Sequence, residues 1–253
     1  MTRAERHRLI CEAVQATGRA RVVDLASRLR VSEMTVRRDL EELEARGELT
    51  RVHGGAISNT SRSFEPGFAA RSMRHVEAKQ RIGAAAAALV RDGETVIVDA
   101  GTTTLHTVQN FRRDLRIRAL ALSLHIADAL ADMPNVTLMI PGGQVRPYER
   151  SFVGAATTVM LEQLTFDTTF LTVGGVDVEA GFTEYEYDDA QTKQAALKSA
   201  RRKIIVADST KIGAVSFVRL CHIGDVDILV TDTAAPAESV AAIRAAGVDV
   251  LLA

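Results

Sequence analysis

The chain has 253 residues, 47% of them hydrophobic and 25% charged, with a formal net charge of −1. This is the composition of an ordinary globular protein of one large domain, or of a small and a medium one, and it excludes a general binder of polyanions. Two distant cysteines, Cys11 and Cys221, exclude a disulfide framework, and the longest apolar stretch, 83–90, is far short of a membrane span. The charged opening Met-Thr-Arg-Ala-Glu-Arg-His-Arg does not read as a signal peptide, so the expected setting is a reducing cytoplasm.

Residues 3–15 form the first predicted helix, with Leu9, Ile10, Ala13 and Val14 as its apolar stripe and Gly18 as its stop. Residues 22–30 give a second, short amphipathic helix. Val31-Ser32 leaves room only for a tight turn before a third helix, in which Val36, Leu40 and Leu43 repeat at i, i+4 and i+7. Ser32 is placed to cap that helix, and Gly47 to end it. The opposite face shows Glu33, Met34, Thr35, Arg37, Arg38 and Glu41. Alone, this stretch fits a solvated helix of a bundle as well as the reading helix of a helix-turn-helix. The residues after Gly47 favour the second: Leu49, Thr50 and Val52 suit a strand, Gly54-Gly55 a turn and Ala56-Ile57 a return strand. Three helices and a hairpin are the order of a winged helix-turn-helix, with Arg51 and His53 beside the wing tip. Residues 1–58 carry 11 Arg and no Lys against 9 acidic residues, and residues 59–253 carry 20 basic against 23 acidic. So weak an asymmetry requires DNA contact to come from placed arginines and not from a broad field.

Residues 59–74 are polar and turn-rich at first, as a linker is. From residue 75 strands and helices alternate. Helices are predicted over 79–90, 104–111, 125–131, 186–200 and 236–245. Strands are predicted over 95–98, 118–122, 136–140, 166–173, 203–207, 226–231 and 248–252. The pattern predicts an α/β domain, 75–253, with a mainly parallel sheet and helices on both faces. Ligands of such sheets bind at the carboxyl ends of strands. There the chain places Asp99-Ala-Gly-Thr-Thr-Thr104, Pro141-Gly-Gly143 with Arg146, Gly174-Gly175 and Asp208-Ser-Thr-Lys211. Gly101 permits a tight turn, and threonine hydroxyls with free helix N–H groups make an anion site. Arg146 and Lys211 can neutralise a phosphate, and Asp99 and Asp208 can accept from sugar hydroxyls. The competing reading is a capped turn with solvated charges. Neither a Walker sequence nor a dinucleotide fingerprint is present, so no cofactor and no metal are expected.

The two halves resemble the DeoR family of transcriptional regulators. The N-terminal match lies in Glu5-Arg6, in Val23-Asp-Leu-Ala-Ser-Arg-Leu-Arg-Val-Ser-Glu-Met-Thr-Val-Arg-Arg-Asp-Leu40 and in Arg51-Val-His-Gly-Gly-Ala56. The C-terminal match runs through Phe64-Glu-Pro with Arg71, Glu77-Ala-Lys-Gln-Arg-Ile82, Asp99-Ala-Gly-Thr-Thr103, Gly142-Gly143 with Arg146, Gly154, Ala190 with Lys193, and Asp208-Ser-Thr-Lys-Ile-Gly213. The resemblance implies a sensor domain related in fold to ribose-5-phosphate isomerase and CoA-transferase-like proteins. It also implies DNA contacts from Ser32, Thr35, Arg37, Arg38, Arg51 and His53. For the effector it implies that Gly101, Thr102 and Thr103 hold a phosphate, with Asp99, Ser123, Gly142, Gly143, Arg146, Lys193, Asp208 and Lys211 around them. In one place the chain departs from the family: Ala121-Leu122-Ser123 stands where Thr-Asn-Ser is common, which leaves either a different effector or a packed, dry wall. Tyr148, Glu184 and Tyr185 lie on loops that could compensate.

The expected function is a sequence-specific DNA-binding regulator, a repressor of carbohydrate or related genes, released from its operator by a phosphorylated sugar. The expected assembly is a homodimer or homotetramer, since operators have paired half-sites. The alternative is an isomerase-like enzyme with an appended DNA-binding domain.

Overall fold

The computed structural model describes residues 1–46, 48–52, 54–58 and 62–253. The chain divides into two units, Met1–Arg74 and His75–Ala253, each with its own apolar core.

The first unit begins with α1 (Arg3–Thr17), capped reciprocally by Thr2 and Glu5 and ended by Gly18 at φ 74°. A three-residue strand β1 (Arg19–Arg21) leads into α2 (Val22–Leu29), which stops where Arg30 turns left-handed at φ 54°. Then Ser32 caps α3 (Glu33–Ala45), its Oγ accepting from the Thr35 N–H at 3.1 Å. The wing comes next, as β2 (Leu49–Val52) and β3 (Gly55–Ser58), paired antiparallel. Gly47, expected to stop the third helix, lies outside the described residues. Ile10, Val14, Leu25, Val36, Leu40, Leu43 and Leu49 close one core between helices and hairpin.

The hairpin differs from expectation in having a third strand, since β1 pairs with β3. Three residues between a glycine and a helix carry no period to read. The pairing is tight: a Cβ at Gly55 would lie 2.2 Å from the Ala20 carbonyl oxygen, so only glycine fits there. The linker-like stretch contains a short helix, α4 (Phe68–Ser72), with Arg71 ion-paired to Glu65.

The second unit runs α5 (Val76–Ala87), β4 (Thr95–Val98), α6 (Thr102–Gln109), β5 (Ile117–Ala121), α7 (Leu124–Ala131), β6 (Val136–Met139), β7 (Gln144–Val145), β8 (Phe152–Val153), α8 (Ala155–Glu162), β9 (Phe166–Leu171), β10 (Gly175–Asp177), β11 (Gly181–Glu184), α9 (Tyr187–Ser199), β12 (Ala200–Val206), β13 (Val218–Cys221), β14 (Ile228–Thr231), α10 (Ala237–Ala245) and β15 (Asp249–Leu252). Seven strands form a wholly parallel sheet in the order β15-β14-β12-β9-β4-β5-β6. Alternate residues divide between its faces. Ile97, Leu120 and Ile205 join the core under α8, α9 and α10. Val96, Val98, Ala119 and Ala121 join the other, under α5, α6 and α7. The alanine-rich face of α5 is packed within the protein, against α6: a Cβ at Gly83 would lie 2.6 Å from the His106 carbonyl carbon.

From β4 the chain first adds β5 and β6 on one side, then returns to add β9 on the other. The crevice between the ends of β4 and β9 is therefore a topological switch point, where such sheets bind ligands.

Three features of this unit were not expected. A small antiparallel sheet, β10-β11-β13, stands apart from the main one, and β7 and β8 make a two-stranded pair. Helix α8 is short and rich in β-branched residues, Thr157, Thr158 and Val159, which weakens its sequence signal. A shift of boundary also matters. Helix α6 starts at Thr102, two residues earlier than expected, because Gly101 is extended and Thr104 Oγ1 donates back to the Asp99 and Gly101 carbonyls at 2.8 and 3.0 Å. Thr102 and Thr103 thus lie in the first turn.

Candidate functional site

In the first unit the packing of α3 decides which side chains face out. Val36, Asp39, Leu40 and Leu43 are buried, leaving Glu33, Met34, Arg37, Arg38 and Glu41 exposed and Thr35 half-buried. Ser32 and Thr35 are engaged in the cap, their hydroxyls 2.9 Å apart. Arg37 lies 3.2 Å from Glu33, one turn back. Such an exposed pair is worth about 0.3–0.5 kcal/mol, so a base or phosphate can draw Arg37 away. Among the described residues Arg38 has no ion-pair partner. Arg51 on β2 donates its backbone N–H to Glu44 at 2.9 Å and sets its guanidinium 3.0 Å from Glu41. Val22, Arg37, Leu40, Arg51, Val52, Gly54 and Gly55 line a cleft of about 380 Å³ between α3 and the hairpin. The structure thus brings Arg37 and Arg51 to one cleft, with Thr35 and Arg38 on the same helix as Arg37 and Ser32 at its cap. His53 lies outside the described residues.

In the sequence Asp39 is only one letter of a motif, and the structure gives it a distinct place. It is buried on the inner side of α3, where it accepts from Arg6 at 2.8 Å and lies 3.1 Å from the His7 ring of α1. Burial alone would raise this carboxyl. The bonds from Arg6 and His7 outweigh it and hold Asp39 below the usual carboxylate range. Asp39 therefore fixes α3 to α1, through partners more than thirty residues away in sequence.

In the second unit the residues at the strand ends converge. Asp99, after β4, is buried, and its Oδ2 accepts from the N–H and hydroxyl of Thr172, after β9, at 2.9 and 2.8 Å. Gly101 must be glycine because a Cβ would lie 2.5 Å from Thr172 Cγ2. No side chain caps α6, and among the described residues nothing accepts from the Thr102 and Thr103 N–H groups. With the helix dipole behind them, they make a place for an anion.

Lys193 of α9 crosses beneath this point, 3.0 Å from Asp99 Oδ2, 2.5 Å from Glu184 Oε2 and 2.9 Å from the Thr172 carbonyl. Burial opposes its charge, but Asp99 and Glu184 prevail and hold the ammonium above the usual lysine range. One helical turn earlier, Asp189 accepts from Ser151 at 2.9 Å and pairs with Arg146. Ser151 bridges to Ser123, which caps α7. A second chain of contacts leaves through Tyr185, whose N–H donates to Glu184 at 2.8 Å. Lys211 Nζ lies 3.0 Å from the Tyr185 hydroxyl and 5.3 Å from its ring centroid. Asp208 caps its own turn, accepting from the Thr210 N–H at 3.1 Å.

Asp99, Gly101, Thr102, Thr103, Lys193 and Lys211 thus belong to one connected cluster, and Ser123 and Arg146 gather around Asp189, one turn along α9 from Lys193. Gly142 and Gly143 are held elsewhere, against α8: the Gly142 carbonyl accepts from Thr157 Oγ1 at 2.6 Å, and a Cβ at Gly143 would meet that same oxygen at 2.4 Å. Of the loop residues that could compensate for Ala121-Leu122, Glu184 and Tyr185 enter the cluster, whereas Tyr148 is 89% exposed. Ala121 and Leu122 are fully buried, one in each core, so that wall is packed and dry. Sequence reasoning missed Thr172, Ser151 and Asp189. Thr172 lies inside the predicted strand 166–173, which the structure ends at Leu171, and nothing local marks it; the others are fixed only by tertiary pairing. A cleft of about 360 Å³ on the outer side of α7, lined by His125, Asp128, Ile140 and Arg150, shares no residue with this cluster.

Known proteins fit both units. The family model of the DeoR-like helix-turn-helix domain matches residues 6–62, and that of the DeoR C terminal sensor domain matches residues 74–233. The HTH-type transcriptional regulator FruR of Bacillus subtilis (strain 168) is 36% identical over 232 residues, 92% of each chain. The lactose phosphotransferase system repressor of Streptococcus mutans is 33% identical over 235 residues, 92% of this chain and 93% of the other. Ribose 5-phosphate isomerase a from Methanocaldococcus jannaschii is a solved structure alike over 53% of each chain, at 14% identity and a TM-score of 0.40.

Proposed function

The chain belongs to the DeoR family of transcriptional regulators, and from there we propose that it is a repressor released from its operator by a phosphorylated sugar. Helix α3 and the wing read the operator. Thr35 and Arg37 contact bases, and Arg38, with Arg51 and His53 at the wing, contacts phosphates. The observation that carries the sensor half is the open first turn of α6 at the switch point of a parallel sheet, beside a charge cluster.

Within that cluster the cations are unequal. Lys193 faces two carboxylates and Arg146 faces Asp189. Among the described residues Lys211 Nζ meets only Tyr185, and so has charge to offer a phosphate. We assign the phosphate to the N–H and hydroxyl groups of Thr102 and Thr103 together with Lys211. The sugar hydroxyls go to Asp99 and Asp208, and positioning to Lys193, Ser123, Gly101 and Arg146. The protein works as a homodimer or homotetramer in the cytoplasm, since paired half-sites need paired reading heads. Among the described residues, no helix is long and apolar enough to cross a membrane. The relatives above are named as a regulator and a repressor over nine-tenths of their length, so the isomerase-like alternative is not favoured. A thiol sensor is disfavoured too: burial and Glu48 push Cys11 up to about 12, and burial and Asp225 push Cys221 up to about 12, leaving little thiolate.

Thermal unfolding with a panel of sugar phosphates beside their unphosphorylated parents tests the sensor assignment. A phosphorylated member is expected to raise Tm where its parent does not. A parent sugar that stabilises as well as its phosphate would contradict the assignment.

A further inference from the structure

The core-facing residues of α3, Val36, Asp39, Leu40 and Leu43, point one way. At 3.6 residues per turn the positions directly opposite are 34, 38 and 41. Glu41 on that line is tied to Arg51, and Arg38 is a cation suited to phosphate. Met34 is different: it stands 61% exposed, in the first turn of the helix, with no polar function to present. Around it the hydroxyls of Ser32 and Thr35 are joined to each other, and Arg37 reaches back to Glu33. Met34 is thus the bare apolar group at the end of α3 that such helices point at base edges. The apolar feature that base pairs display in the major groove is the 5-methyl group of thymine. A flexible thioether side chain fits such a target.

We propose that Met34 is a specificity-determining residue, reading a thymine methyl group at one position of each operator half-site. This rests on α3 being the DNA-reading helix. The full chain is first used to select duplexes from a random-sequence pool. Each thymine of the recovered duplex is then replaced in turn by deoxyuridine, which removes the methyl group alone. One replacement per half-site is expected to weaken wild-type binding by about fourfold, the worth of one buried methyl group. The same replacement should leave binding by Met34→Ala unchanged, while Met34→Leu keeps the wild-type preference. Selection repeated with Met34→Ala should recover duplexes with relaxed base choice at that position. Uracil that is neutral at every position, or that weakens wild type and Met34→Ala alike, overturns the proposal. So does Met34→Ala losing affinity equally for the selected duplex and a random one. A pool from which the wild type recovers no common sequence counts against α3 as the reading helix, and the role of Met34 falls with it.

Discussion

The two units handle charge in opposite ways. The first turns its proposed DNA contacts outward: Arg37, Arg38 and Arg51 lie on the surface of α3 and the wing, among the described residues in weak pairs or none. Its buried carboxylate Asp39, with Arg6 and His7, faces inward and holds α3 in place. The second unit buries and pairs the charges at the base of its cluster, Lys193 with Asp99 and Glu184 and Asp189 with Arg146, and leaves the half-buried Lys211 to Tyr185. A surface that must grip a polyanion needs cations free to leave their partners. A site that waits for an anion at the carboxyl ends of central strands needs its buried charges compensated, because a lone buried charge costs several kcal/mol. The reading head should therefore tolerate substitution at its site, and the sensor should not.

The sharpest way to break this comparison is Lys193→Met. It strands Asp99 and Glu184 without their cation, and the second unit is expected to lose about 3–5 kcal/mol in denaturant unfolding. A loss below about 1 kcal/mol would show the two carboxylates are not held by Lys193. Next comes Lys211→Ala. Losing one charged hydrogen bond should weaken sugar phosphates by about tenfold or more, with DNA affinity in the absence of effector as the internal control. An unchanged effector titration would remove Lys211 from the site.

Asp39→Asn sharpens the other side, and its effect carries a sign in pH. The folded carboxyl lies below its unfolded value. Its contribution is therefore present above the unfolded pKa of about 4 and fades as pH falls through the folded value. The wild type should be more stable than Asp39→Asn at neutral pH, and the gap should close in acid. A gap independent of pH would mean that the cluster acts by shape, not charge. The smallest effects belong to the exposed arginines. Arg38→Ala should weaken selected and random duplexes alike and lower the salt slope by about one, whereas Arg37→Ala should relax sequence preference. Neither should change unfolding by more than about 0.5 kcal/mol. Equal losses on both duplexes for both variants would reverse that division of labour.

Legibility in the sequence divides along a related line, between local signals and distant pairings. The apolar repeat of Val36, Leu40 and Leu43 and the cap at Ser32 locate α3 because both signals are local. The β-branched run 95–98 before Asp99-Ala-Gly-Thr-Thr locates the first strand end and its helix for the same reason. Pairings across the chain leave no such trace. Strand β1 is too short to show a period, and β10, β11 and β13 are short strands joined across the chain. The contact of Asp99 with Thr172 spans 73 residues, and nothing in either neighbourhood announces it. Lys193 looks like a solvated residue on a polar helix, and only resemblance to a family draws attention to it. Its burial is visible in three dimensions alone.

The two units are joined in function if an anion at α6 releases DNA from α3. Fluorescence anisotropy of the full chain on its own upstream DNA, titrated with sugar phosphates beside their unphosphorylated parents, tests this most directly. Tight binding that a phosphorylated member alone reverses is the expected result, with a Thr102→Val chain that stays bound at the same concentration. Release by a parent sugar, or an unchanged response in Thr102→Val, would contradict it.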